Sequence, residues 1–145
     1  MIIPDINLLV YAYNAEAPLH PPAKTWWEHL MNAQETVAIP WASSCGFLRL
    51  MTHPAVLMSP LRPGDAMSIL DSWYSRAHVQ VLNPGPRHLA ILRQLLSLAG
   101  VGGNLTTDAH LAALAIEHQC ELHSNDSDFN RFSGLRWRNP LAGPE

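Results

Sequence analysis

Short apolar runs of strand character alternate along this chain with stretches of helical period, and that alternation restricts the fold more than any other feature. Ile2-Ile3 is closed by Pro4-Asp5. Val37-Ala38-Ile39 is stopped by Pro40, Val79-Gln80-Val81 alternates, and Cys120–His123 and Leu135-Arg136-Trp137 complete the set. Between them lie helical patterns: Asn7 to Tyr13; Ala23, Trp26, Trp27 and Leu30 after Pro21-Pro22; and Trp41 to Met51, stopped before His53-Pro54. Pro63 precedes Ala66, Ile69, Leu70 and Trp73. Pro86 opens a stripe of Leu89, Leu92, Leu95, Leu96 and Ala99 capped at Gly100, and Asp108 to His118 is the last helix. Proline suits a first helical turn, where the missing N–H has no intrahelical partner. A spacing near 3.6 marks one buried face. Strands separated by helices predict an α/β layered fold with a mostly parallel sheet, because parallel strands need a crossover long enough to be a helix.

The chain has 145 residues and shows no repeat, low-complexity tract or linker, so residues 1–141 read as one domain and 142–145 as a disordered tail. The net charge of −3 gives no overall basic field, so any contact with nucleic acid must be local. Charged residues make up only 14% of the chain, which fits a surface partly covered by a partner. Cys45 and Cys120 stand alone and far apart, without a CxxC or a Cys/His cluster. That pattern argues against structural zinc and for buried free thiols in a reducing cytoplasm. The first residues, MIIPDINLLVYAY, are too short and too polar to span a membrane and lack a basic leader region.

In parallel sheets ligands bind beyond the carboxyl ends of the strands. Asp5 follows the first strand and Asp126 the strand at Cys120–His123, while Asp108 opens the helix between. Each has a structural explanation when taken alone. Asp5 closes a strand with an Asx turn, Asp108 favours the helix dipole, and Asp126 and Asp128 are loop carboxylates. Together, three converging carboxylates repel one another unless a cation joins them. Oxygen ligands select Mg²⁺ or Mn²⁺ over zinc. Such a site polarises phosphorus and activates water, which is the chemistry of phosphodiester hydrolysis.

Four stretches carry a resemblance. IIPDINLLVYAYN, GFLRLMTHP, NLTTDAHLAALAIEH and SNDSDFNRFSGLRWRNPL resemble, in order and spacing, the segments of PIN-domain ribonucleases, and most of all the VapC toxins of bacterial toxin–antitoxin modules. The resemblance implies a PIN-like three-layer α/β/α fold and an Mg²⁺- or Mn²⁺-dependent endoribonuclease. It also implies a VapB-type antitoxin lying across the crevice, and a homodimer. Asp5, Asp108 and Asp126 then hold the metal and serve catalysis. Asp128 assists or replaces Asp126, and Asn7 orients Asp5 or water. One departure stands out: many relatives carry a Glu before the G-F-x-R segment, where this chain has Ser44. A serine can donate a hydrogen bond but supplies no charge.

Further residues bear on binding. Arg49, beside the expected crevice, suits an RNA phosphate, an antitoxin carboxylate or a structural ion pair. Arg131, Arg136 and Arg138 cluster around Trp137, a combination that suits single-stranded RNA by charge and stacking; core packing is the alternative for Trp137. The eight histidines form no HExxH, and Gly100–Asn104 lacks dinucleotide-loop spacing. Two rival functions remain. One is a catalytically weak PIN scaffold that binds RNA or antitoxin, motivated by Ser44. The other is a small-molecule phosphohydrolase with an aspartyl nucleophile, which the single lysine, Lys24, disfavours.

Overall fold

The computed structural model describes residues 1–99 and 103–143. Among them five strands form one sheet, all parallel, in the order β3-β2-β1-β4-β5. The strands are β1 (Ile2–Pro4), β2 (Val37–Pro40), β3 (Val79–Leu82), β4 (Glu121–His123) and β5 (Arg136–Arg138). The helices are α1 (Ile6–Tyr13), α2 (His20–Asn32), α3 (Trp41–Met51), α4 (Pro63–Tyr74), α5 (His88–Ala99) and α6 (Thr106–Glu117).

Side chains alternate across the sheet and divide the core in two. Ile2, Val37, Ile39 and Val79 pack against α1 to α4, together with Leu9, Trp27, Phe47 and Trp73. Ile3, Ala38, Leu82 and Leu122 pack against α5 and α6 on the other face. The result is three layers, α/β/α, as expected. The first core is pinned by one phenol: the Tyr13 hydroxyl accepts both the Trp27 indole N–H at 3.1 Å and that of Trp73 at 2.8 Å. Two buried donors that would otherwise lose their water partners are thereby satisfied.

Several boundaries differ from the sequence reading for local reasons. Pro40 belongs to β2 and pairs with Leu82, because it is the terminal residue of its strand, where a missing N–H costs little. Helix α5 begins at His88 rather than Pro86, since the Glu117 carboxylate holds the N–H groups of Gly85 and Arg87 in a turn ahead of it. Its buried stripe is Ile91, Leu92, Leu95 and Leu96, while Leu89 is 66% exposed. The expected cap at Gly100 lies outside the described residues. Helix α6 starts at Thr106, so Asp108 sits inside its first turn. Cys120 is buried but Cys45 is exposed, against expectation, because it points off the outer side of α3.

The chain crosses from one face to the other between β1 and its neighbour β4. Connections from β1 run through α1 and α2 on one side, and the path into β4 runs through α5 and α6 on the other. The carboxyl edge between these two strands is therefore the switch point, where the diverging connections leave a crevice.

Candidate active site

Asp5 is the residue immediately after β1. Its N–H donates to the His123 carbonyl at 2.9 Å, which extends the β1–β4 ladder by one step. Its side chain caps α1: Oδ1 accepts the Ile6 N–H at 2.7 Å. Oδ2 accepts the Ser124 hydroxyl, also at 2.7 Å. The residue is only 6% exposed. Burial pushes its carboxyl above the ordinary range, the hydrogen bonds from Ser124 and Ile6 partly offset this, and the Asp126 charge pushes it further up.

Ser124 was missed by the sequence reading, yet it ties the site together. It is fully buried. Its hydroxyl donates to Asp5 and accepts the Asp126 N–H at 3.0 Å. Its own N–H donates to the Arg138 carbonyl and its carbonyl accepts the Trp137 indole N–H, both at 3.1 Å. The available signal was a serine two residues before an aspartate at a strand end, the setting for a side-chain-to-backbone turn.

Asp126 follows β4 by three residues and caps a 3-10 turn at Ser127–Arg131, its Oδ1 accepting the Asp128 N–H at 2.9 Å. Asp128 is half-exposed and lies 3.5 Å from Arg131 Nε, so part of its charge is balanced. Asp108 is partly buried in the first turn of α6. Its carboxyl is raised to about 6, first by burial and then by the charges of Asp5, Asp126 and Asp128. Four carboxylates from three separate segments thus share one electrostatic field at the switch point.

Asn7, in the first turn of α1, has a buried side-chain oxygen without a hydrogen-bond partner. Leaving such an acceptor unpaired costs about 1–3 kcal/mol. A hard divalent cation fits this set: the donors are carboxylate and amide oxygens, the carboxylates repel one another, and one neutral oxygen is unspent. Among the described residues, however, no three His, Cys, Asp or Glu side chains stand close enough to form a ready-made metal cage.

Other expected residues fall elsewhere. Ser44 is fully buried and shares a hydrogen bond with the Tyr74 hydroxyl at 2.9 Å, so it faces α4 rather than the carboxylates. Its neighbour Ser43 donates to the Pro4 carbonyl at 3.2 Å. Arg49 is exposed in the last turn of α3, two turns from the end that borders the crevice, beside Thr52, Pro63 and Met67. It has no ion pair among the described residues. Arg131 stays near the site through Asp128. Trp137 packs into the α5/α6 core.

A parallel α/β protein with an acidic cluster at its switch point is the class that the geometry defines. The chain belongs to the PIN domain family, whose model matches residues 2–135. It is 44% identical over 141 residues to ribonuclease VapC33 of Mycobacterium tuberculosis, covering 97% of this chain and 99% of that protein. It is 38% identical over 142 residues to ribonuclease VapC37 of the same organism, covering 98% and 99%. Among solved structures it resembles VapBC2 of Rickettsia felis bound to a promoter DNA fragment, with a TM-score of 0.69 at 22% identity over 96% of this chain and 98% of that one. It also resembles VapC20 of Mycobacterium tuberculosis, a toxin that cleaves the sarcin–ricin loop, with a TM-score of 0.65 at 17% identity, covering 94% and 99%. These likenesses agree with the PIN-like α/β fold.

Proposed function

We propose that this chain is a VapC-type endoribonuclease, the toxin of a type II toxin–antitoxin module, and that it hydrolyses RNA phosphodiesters with Mg²⁺ or Mn²⁺. One observation carries the reading: Asp5 after β1, Asp108 in the first turn of α6 and Asp126 after β4 converge at the switch point, where their charges act on one another. A structural role for these acids leaves that repulsion unexplained, whereas a bound cation relieves it.

Asp5, Asp108 and Asp126 would hold the cation, with Asp128 and the free oxygen of Asn7 beside them. When bound, such an ion supplies Lewis-acid polarisation of a phosphoryl oxygen and activation of water. The remaining work falls to the chain. Ser124 and the Ile6 N–H hold both oxygens of Asp5 in one orientation, which lowers the reorganisation needed during reaction. The cap at Asp128 fixes Asp126 in the same way. With the cation in place, Asp108 would be held as the carboxylate, its charge balanced by the ion rather than opposed by Asp5, Asp126 and Asp128.

A VapB-type antitoxin is the proposed protein partner, and the low share of charged residues and the VapBC neighbours support it. We further assign the protein to the cytoplasm, as a homodimer; no helix among the described residues is long and apolar enough to cross a membrane. A second reading, a scaffold that binds RNA or antitoxin without efficient cleavage, draws on Ser44, since α3 contributes no carboxylate to the crevice. The deciding experiment is cleavage of a structured RNA pool by purified protein with Mn²⁺ or with EDTA, with Asp108→Asn alongside. Cleavage that needs metal and vanishes in the variant supports the nuclease. Folded protein without cleavage supports the scaffold, and cleavage persisting in both controls overturns the carboxylate reading.

A further inference from the structure

We propose that the groove between α2 and the β4–β5 edge is a second RNA-contact site, which takes one unpaired nucleotide of the substrate chain with its base against Trp26 and its phosphate on Arg138. The proposal rests on the ribonuclease reading and extends it from the point of cleavage to the strand that flanks it.

The groove is a cavity of about 730 Å³. That volume lies within the roughly 300–1,000 Å³ of pockets that hold small organic ligands. Trp26 and His29 of α2 form one wall, and His123 and Arg138 of the sheet form the other. The apolar core on this side of the sheet stops at β1, because the β4 and β5 residues that face the same way, Glu121, His123, Arg136 and Arg138, are all polar.

The strand register explains which residues meet there. Pro4, His123 and Arg138 are paired in adjacent strands and so point to the same face. Trp137, one residue back, points to the opposite face and is consumed by the core. The arginine–aromatic combination visible in the sequence around Trp137 is therefore realised with a different tryptophan, Trp26, from nearly the other end of the chain.

The polar groups are set in advance. The Trp26 indole N–H donates to His123 Nδ1 at 3.0 Å, so the His123 proton sits on Nε2, which donates to Glu121 at 2.7 Å. The indole and imidazole rings lie with centroids 6.0 Å apart. Two acidic groups lie nearby: Glu121 accepts the His123 Nε2–H, and Glu35, which lines the groove, pairs with the N-terminal ammonium at 3.2 Å. Arg138 is exposed and has no ion-pair partner among the described residues. An aromatic wall beside an unspent guanidinium matches a base and its phosphate, the combination that holds single strands without reading a duplex. A hydrocarbon ligand would leave the guanidinium unused.

Position links the groove to the crevice. His123 and Arg138 end β4 and β5 and so bring the groove to the carboxyl edge of the sheet, while Ile2 and Glu35 line its other end. The His123 carbonyl takes the Asp5 N–H, so the groove wall and Asp5 belong to neighbouring strands, while the Asp5 side chain, one residue past Pro4, leaves toward the opposite face of the sheet. A chain with its phosphodiester at the carboxylates reaches Trp26 by passing over the carboxyl edge.

The test uses a fluorescein-labelled single-stranded RNA of random sequence, with the full chain carrying Asp108→Asn to prevent cleavage. Adding Arg138→Gln should weaken binding roughly tenfold, the usual effect of losing one charge-assisted phosphate contact. Trp26→Leu should weaken it comparably, whereas Trp26→Phe, which keeps a ring but loses the indole donor, should retain most of it. With Asp108 restored, Arg138→Gln should raise KM and leave kcat unchanged. Circular dichroism confirms that each variant is folded. Unchanged RNA binding and KM in both Arg138→Gln and Trp26→Leu would overturn the proposal. So would loss of grip on the cognate antitoxin with RNA binding intact, which would make the groove a protein dock. The two readings fail separately: wild-type protein that binds RNA through this groove but never cleaves it refutes the nuclease and spares the groove.

Discussion

Asp108 sits in the first turn of α6, where the helix dipole favours an anion, and still its carboxyl titrates near 6 against an ordinary 3.8. The net surroundings therefore disfavour its charge. A raised acid pKa means that the folded state binds the proton more tightly than the unfolded chain. The resulting penalty is fully present above about 6 and disappears as pH falls below 3.8. The side chain is only about half-buried, so solvent screening reduces the penalty to about 1 kcal/mol. Asp108→Asn should accordingly raise the melting temperature of the metal-free protein at pH 7 by about 3 °C. Mn²⁺ should stabilise the wild type more than the variant, and melts in EDTA and in Mn²⁺ check both statements. Ser124→Ala has the opposite sign. It removes a donor from the buried Asp5 and an acceptor from the partly buried Asp126 N–H, and should cost about 2 kcal/mol in urea unfolding. Asp5 would then titrate higher still, and the acid limb of any cleavage profile should move to higher pH.

At the level of elements, the crevice depends on how closely α1 and α3 approach. A Cβ at Gly46 would lie 2.6 Å from Ile6 Cδ1 and 3.0 Å from Cγ1, so a side chain there pushes on the residue next to Asp5. Gly46→Ala should destabilise by about 1–3 kcal/mol, the usual range for overpacking. The cost should shrink in an Ile6→Ala background; a double-mutant cycle showing no such relief would contradict the close-approach account. On the other face, Glu117 at the end of α6 accepts the N–H groups of Gly85 and Arg87 ahead of α5. Desolvation pushes its carboxyl up, but those two donors and the neighbouring His118 and His88 together hold it below 4.5. This stability is present above 4.5 and lost as pH falls through the lower folded value. Glu117→Gln should lower the unfolding midpoint at pH 7 and flatten its decline in acid, as urea unfolding at several pH values would read out.

The whole molecule exposes several large apolar side chains, Met58 at 87% and Trp41 at 54% among them. The proposed homodimer offers partners for such groups, and light scattering should return twice the 16.1 kDa chain mass; a monomer at micromolar concentration would count against it. Much of this architecture was legible beforehand. Alternating strand and helix patterns determined a parallel α/β sheet, because period 2 and period 3.6 bury different faces and only helical crossovers join parallel strands. Asp5, Asp108 and Asp126 stood out because each falls where a strand ends or a helix begins. Tertiary structure alone decided the rest. Ser124 became the tie between Asp5 and Asp126 because β1 and β4, some 119 positions apart in sequence, are neighbours in the sheet. Ser44 turned to Tyr74, and Arg138 came to line one groove with Trp26 while Trp137 faced the other side, since strand register and helix phase, not sequence distance, choose the face on which a side chain emerges. Local periodicity fixes what each segment forms; which segments become neighbours depends on burying all the apolar faces at once, and those neighbours make the site.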